Sequence, residues 1–304
     1  MKKIVCAFLC VFLLIFTVGC NKKDQNKTDD ENLVIQENIT DPNYPITVRG
    51  VVIDQLPTKI VSFSPAITEI MGELGLENYL VGRTPYCDYS VYVENLTVVG
   101  TPLVPDIEKL LPLMPEFIFS QSPLSDEFMD TISGMGTKIV VFPKGKDIDE
   151  ILDIYRDIFL ICKGKESGLR AAEEFNENFM VEYTNALIDG MSSSTRIDAV
   201  YLAGEMNLAT PDTFEGSIML AMGLNNLAQG ENWDNTASNL NPKLIIVASG
   251  SGINRRDIEN SDDFDGSDAV DDENYILINH IPIERQSPRM IREIKSVVSQ
   301  IYAK

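Results

Sequence analysis

The 304-residue chain predicts an α/β fold: two βα-type lobes with mostly parallel sheets, joined by one long backbone α-helix. Three observations carry that expectation. The stretch from Lys165 to Asp189 contains no proline and sets Leu169, Ala172, Phe175, Phe179, Tyr183 and Leu187 three or four residues apart, the spacing of one helix face. About 25 residues rising about 1.5 Å each make a rod of roughly 38 Å, with Gly190 placed to stop it. Before the rod, short β-branched runs alternate with helix-length segments, and the same rhythm returns after it. Function then belongs between the two lobes.

Composition narrows the partners. With 44% apolar residues the chain can bury one large core or two ordinary ones. A formal net charge of −21 and the lack of Lys/Arg clusters exclude a phosphate-backbone partner, so no nucleic acid is expected.

Residues 1–20 read as a signal segment. Met1-Lys2-Lys3 is a basic start, Ile4 to Phe16 is apolar, and Thr17-Val18-Gly19 leads to Cys20. This resembles a bacterial lipoprotein signal, which implies cleavage before Cys20, lipidation of Cys20 and a place on the extracytoplasmic face of the cell membrane. The alternative, a signal-anchor helix, is disfavoured because thirteen apolar residues fall short of the about twenty that a bilayer needs. Residues 21–44, rich in Asn, Lys, Asp and Glu, read as a flexible tether. Beyond Cys20 only Cys87 and Cys162 remain, which leaves one bridge open and makes no zinc site.

The first lobe spans 45–164. Lys59 to Phe63 reads as a strand, and Ser64-Pro65 then supplies an N-cap followed by proline at the first helical position, opening a helix that stops at Gly75. Strands at Tyr79–Val81, Glu116–Ser120 and Lys138–Phe142 alternate with helices from Asp106, from Ser125 and from Ile148 to Cys162, the last capped by Asp147. After the connecting helix, 165–190, the second lobe spans 191–304. It offers strands at Arg196–Leu202, Leu244–Ala248 and Tyr275–Ile278, a helix from Thr213 to Gly223, and a last helix opened by Ser287-Pro288.

These stretches carry a resemblance. IVSFSPAITEIMGELGLENYLVGRTPYCDYS, VVGTPLVPDIEKLLPLMPEFIF, TFEGSIMLAMGLNNLAQ, NPKLIIVASG and SPRMIREI follow one another in the order found in solute-binding proteins of ABC importers for cobalamin and ferric siderophores. The resemblance covers roughly Thr58 to Lys304. It implies two lobes on one backbone helix, a metal chelate held between them, and delivery to an ABC permease and its ATPase. It also implies a monomeric binding protein with no catalytic residues, no cofactor and no bound metal ion of its own.

In α/β sheets ligands sit beyond the carboxyl ends of the strands. That rule points to Ser64, Tyr86, the turn containing Pro102, Phe214, Ser249 and the loop holding His280, with Arg289 just beyond. Tyr86 matches the cleft tyrosine of the family. Trp233, the chain's one tryptophan, is either a ligand platform or a plug fastening its loop. His280, the one histidine, cannot build a zinc site alone and could meet a chelated metal axially, or serve structure only. Arg285 and Arg289 could bind solute carboxylates or pair within an acidic protein. The resemblance makes Glu108 a permease-docking acid; the second such position is Asn235, with Glu231 and Asp234 as nearby substitutes. The acidic loop Ser261–Asp272 places Asp263, Asp265, Gly266 and Asp272 at the third, fifth, sixth and twelfth positions of a calcium loop, yet holds serine at the first. A solvated acidic surface loop explains the same residues.

Two other readings stay open. The absence of glutamate at Asn235 fits a lipid-anchored sensor or adaptor with the same fold and no import role. Ser249-Gly250-Ser251-Gly252 with a single histidine allows an extracytoplasmic hydrolase, although neither the GxSxG frame nor a following Lys-Ser/Thr is present.

Overall fold

The computed structural model describes residues 41–234 and 239–302; Cys20, the tether up to residue 40 and Asn235 lie outside them. The described residues belong to one compact unit.

It opens with an antiparallel hairpin of β1 (Ile46–Val48) and β2 (Val51–Ile53), turned by Arg49 and Gly50, both at positive φ. Then come β3 (Ile60–Ser62), α1 (Pro65–Glu73), β4 (Leu80–Arg83), α2 (Val91–Glu94), β5 (Thr97–Val98) and α3 (Ile107–Leu110). After them follow β6 (Phe117–Ser120), α4 (Asp126–Ile132) and β7 (Lys138–Val141). The five strands pair in the order β5-β4-β3-β6-β7, all parallel, so the chain reverses its winding beside β3. The cap read from Ser64-Pro65 is present: Ser64 Oγ accepts from the Ile67 N–H at 3.2 Å, with Pro65 in the first turn.

Helix α5 (Ile148–Lys163), capped by Asp147, and α6 (Lys165–Met191) follow with only Gly164 between them. Gly164 turns the chain at φ +77, and Gly168 lets the two helices touch: a Cβ there would lie 2.8 Å from the Phe159 carbonyl oxygen. Gly168 therefore takes the buried place assigned to Leu169, which is 37% exposed. The far end also differs from expectation. Gly190 lies inside the helix, which runs to Met191 with Ser192 as its C-cap, because its role is close approach: a Cβ there would lie 2.3 Å from the Met222 carbonyl oxygen.

The second lobe contains β8 (Ile197–Ala203), β9 (Asn207–Ala209), α7 (Phe214–Ala221), β10 (Leu224–Asn226), β11 (Trp233–Asp234) and β12 (Leu244–Ala248). It continues with α8 (Arg255–Glu259), α9 (Asp268–Asp271), β13 (Tyr275–Ile278), α10 (His280–Glu284) and α11 (Met290–Tyr302). The sheet order is β11-β9-β8-β12-β13, with β10 also on β8. Strands β8, β10, β12 and β13 run parallel, and β9 runs antiparallel to both of its neighbours, β8 and β11. Ser287-Pro288 does not cap α11. That helix starts at Met290, and the Ser287 hydroxyl donates instead to Glu69 of α1 at 2.5 Å.

The rod is more than a spacer. One apolar core runs from Phe119 and Phe142 of the first lobe through Tyr155, Phe179 and Leu187 of α5 and α6 to Tyr201, Ile246 and Ile294 of the second. Aromatic edges bind the two helices, with Tyr155 5.7 Å from Phe175 and 5.9 Å from Phe179 between ring centroids. Cys87 and Cys162 are buried free thiols, so they form no bridge. Among the described residues no group of three or more His, Cys, Asp or Glu gathers to hold a metal ion, and the acidic loop wraps Phe264, which is 1% exposed.

Candidate functional site

A cavity of about 440 Å³ lies where the carboxyl ends of the second-lobe strands face the loop after β7. That volume falls within the range of small-molecule sites. The second lobe contributes Ala203 and Gly204 after β8, Asp212 to Glu215 at the mouth of α7, Asn232 and Trp233, and His280 and Glu284 of α10. The first lobe contributes Lys144, Gly145 and Lys146, and Gln286 closes the floor.

Local sequence explains each position. Thr213 caps α7 by accepting from the Gly216 N–H at 3.0 Å, which sets Phe214 and Glu215 in the first turn beside the cavity. Gly216 permits that turn, since a Cβ would lie 2.0 Å from the Thr210 carbonyl oxygen. Asp212 Oδ1 accepts from the Asn232 N–H at 2.8 Å and pins the left-handed turn before Trp233. The Trp233 indole meets the Tyr201 ring edge-on at 6.3 Å, and Tyr201 in turn reaches His280 Nδ1 at 2.8 Å. Behind it, the His280 N–H donates to Ser249 Oγ at 3.2 Å.

Charge in the site is mixed. Lys144 faces Glu284 at 3.5 Å across the lobes. Burial pushes the Glu215 carboxyl above its ordinary range, and Lys144 opposes that shift only in part. Burial likewise holds the His280 imidazole below its usual value and so favours the neutral ring, against the pull of Glu284. An aromatic wall with lysines, acids and one neutral imidazole can grip a solute that has both a broad apolar face and polar edges.

Of the residues singled out from sequence, Phe214, Trp233 and His280 come together on the cavity, and Ser249 stands behind His280. Ser64 does not face it: the side chain is 2% exposed, and its hydroxyl donates to Gln121 Oε1 at 2.8 Å. Arg289 and Arg285 are drawn to Glu69 at 2.7 and 2.8 Å, the pairing reading of these arginines. Tyr86, 67% exposed after β4, and Pro102, in the turn closed by Thr101 and Val104, lie outside the cavity lining. Glu108 is exposed in the first turn of α3, and Asp234 pairs through its backbone with Leu208. The sequence reading passed over Lys144 and Lys146, although the rule that found His280 also covers the PKGK loop after β7.

No model of a known protein family matches this chain. A curated cobalamin-binding protein of Halobacterium salinarum is 22% identical over 280 residues, covering 87% of this chain and 74% of the relative. A possible iron-binding (periplasmic solute-binding) protein of Staphylococcus epidermidis superposes with a TM-score of 0.70 at 18% identity, over 81% of this chain and 98% of that one. The periplasmic heme-binding protein HutB of Vibrio cholerae gives a TM-score of 0.69 at 19% identity, over 81% and 99%. The periplasmic vitamin B12 binding protein BtuF of Vibrio cholerae gives 0.62 at 21%, over 82% and 100%. The fold is that of the periplasmic solute-binding proteins, two α/β lobes on one long helix, and the resemblance read from the sequence stands.

Proposed function

We propose that this chain is the solute-binding component of an ABC importer, lipid-anchored through Cys20 on the extracytoplasmic face, and that it holds a metal chelate between its lobes. The observation that carries this reading is the cavity itself, at the carboxyl ends of the second-lobe strands and walled by the first lobe through Lys144 to Lys146. Phe214 and Trp233 give it the apolar surface that a macrocycle or ferric chelate needs. The solute class is a ferric siderophore or a corrinoid, with haem as the further member. Exposed Glu108 and the segment around Asp234, one per lobe, are the docking points for a permease, whose arginines would pair with them. The similar proteins are named for binding and not for catalysis, which supports a non-enzymatic role.

The test is titration of the mature protein with cobalamin, a panel of ferric siderophores and haem, following Trp233 fluorescence and visible absorbance. Quenching that saturates with one of them is expected. A flat response to all of them would remove the chelate reading.

A further inference from the structure

The Tyr201 hydroxyl is buried in the second-lobe core, and its one hydrogen-bond partner among the described residues is His280 Nδ1 at 2.8 Å. The other imidazole nitrogen, Nε2, has no protein partner among those residues, and the ring borders the cavity. We propose that His280 presents an Nε2–H donor to an uncharged oxygen on the edge of the bound solute, and is not a ligand to its metal. This rests on the solute-binding reading above.

Three protonation arrangements of the pair can be weighed. If Nδ1 carried the proton and donated to Tyr201, the phenol hydrogen would be left in the core without an acceptor, the situation that folded proteins avoid. If both nitrogens were protonated, a cation would sit in a site where burial already favours the neutral ring. The remaining arrangement satisfies every group: the phenol donates to bare Nδ1, and Nε2 keeps its hydrogen. A metal ligand needs a lone pair on Nε2 and a proton on Nδ1, so coordination would orphan the Tyr201 hydrogen.

Charge selects the acceptor. Asp212, Glu215 and Glu284 border the same cavity with Lys144 and Lys146; Lys144 already answers Glu284 and Lys146 acts on Asp212, so the acids outnumber the cations and both cations are engaged. A carboxylate edge would meet those acids, whereas a carboxamide or carbonyl oxygen accepts from a neutral N–H without that cost. The solute fitted by this wall is a chelate whose metal is already fully coordinated and whose rim carries amide or carbonyl oxygens.

Because His280 is the chain's one histidine, ¹⁵N-histidine labelling gives a single pair of ring nitrogens to read in the free protein. The expected result is the Nε2–H tautomer, with the preference lost in Tyr201→Phe. An Nδ1–H tautomer in the wild type would overturn the proposal. The second arm titrates cyanocobalamin, whose axial positions are filled, aquocobalamin, whose axial water exchanges, and haemin. Binding of both cobalamins with unchanged absorbance, and about tenfold weaker in His280→Ala, is the expected outcome. An absorbance change with aquocobalamin or haemin that His280→Ala abolishes makes the imidazole a metal ligand and sinks the proposal. If none of the three binds, the chelate reading is weakened, and the tautomer alone decides this inference.

Discussion

Glu69 of the first lobe, wholly buried, holds Arg285 of the second at 2.8 Å across 216 residues of chain. The same carboxylate accepts from Arg289 Nε at 2.9 Å and from the Ser287 hydroxyl, and Arg285 also reaches Asp88. Beside it, the Gln286 amide clasps Gly145, accepting from its N–H at 2.9 Å and donating to its carbonyl at 2.6 Å. The lobes are thus latched at the floor of the cleft as well as tied by α6.

Removing the carboxylate takes the ion-pair partner from Arg289 and leaves Arg285 with Asp88 alone. Glu69→Ala is expected to cost about 3 kcal/mol of stability, the usual scale for breaking a buried pair from one side. Urea denaturation measures it, and a loss under about 0.5 kcal/mol would show that the latch bears no weight.

A latch and an unkinked helix together leave little room for hinge motion. Small-angle scattering of the free and loaded wild type should superimpose, while Glu69→Ala should give a larger radius of gyration in the free state. A marked ligand-induced compaction of the wild type would contradict this.

Gly190 of α6 has no room for a side chain, since the Met222 carbonyl oxygen occupies the Cβ position at 2.3 Å. Gly190→Ala should therefore destabilise by about 2 kcal/mol, even though alanine is the better helix former. A stabilised variant in thermal melting would mean that the second lobe can shift away freely.

Tyr86 offers a test of the cleft rim. With 67% of it exposed, Tyr86→Ala should leave folding within about 0.5 kcal/mol of the wild type. Solute affinity should fall about tenfold, the scale of an aromatic anchor. Unchanged affinity would confine recognition to the cavity lined by Phe214, Trp233 and His280.

Glu215 makes stability depend on pH in a defined direction. Burial raises its folded value above the ordinary 4.5, so the folded state binds this proton more tightly than the unfolded one. Its contribution is therefore lost as pH rises from about 4.5 through the folded value. Glu215→Gln should gain stability relative to the wild type above that window and show no gain below it. An equal difference at pH 3 and pH 7 would rule out the carboxyl as its source.

What the sequence made legible was local. Ser64-Pro65 and Asp147 announce helix starts because a cap and the N–H that donates to it lie within three residues, and β-branched runs such as Leu244–Ala248 announce buried strands. Gly190 and Ser287 misled for the complementary reason. Each looks like a terminus signal, but its role is set by a partner far along the chain, Met222 for one and Glu69 for the other. The site divided in the same way: strand ends located His280 and Phe214, whereas burial of Ser64 and capture of Arg289 by Glu69 appear only once the lobes are assembled.

The clasp of Gln286 on Gly145 has a consequence for signalling. A receptor whose lobes are fastened to one another has nearly the same outline empty as full, and so cannot advertise occupancy by changing shape. Under the proposed import role, a membrane partner that has to tell the two apart would have to sense the cargo itself and not the outline of the lobes. Under that same proposed role, unloading would require mechanical work from outside, enough to prise Glu69 from its arginines.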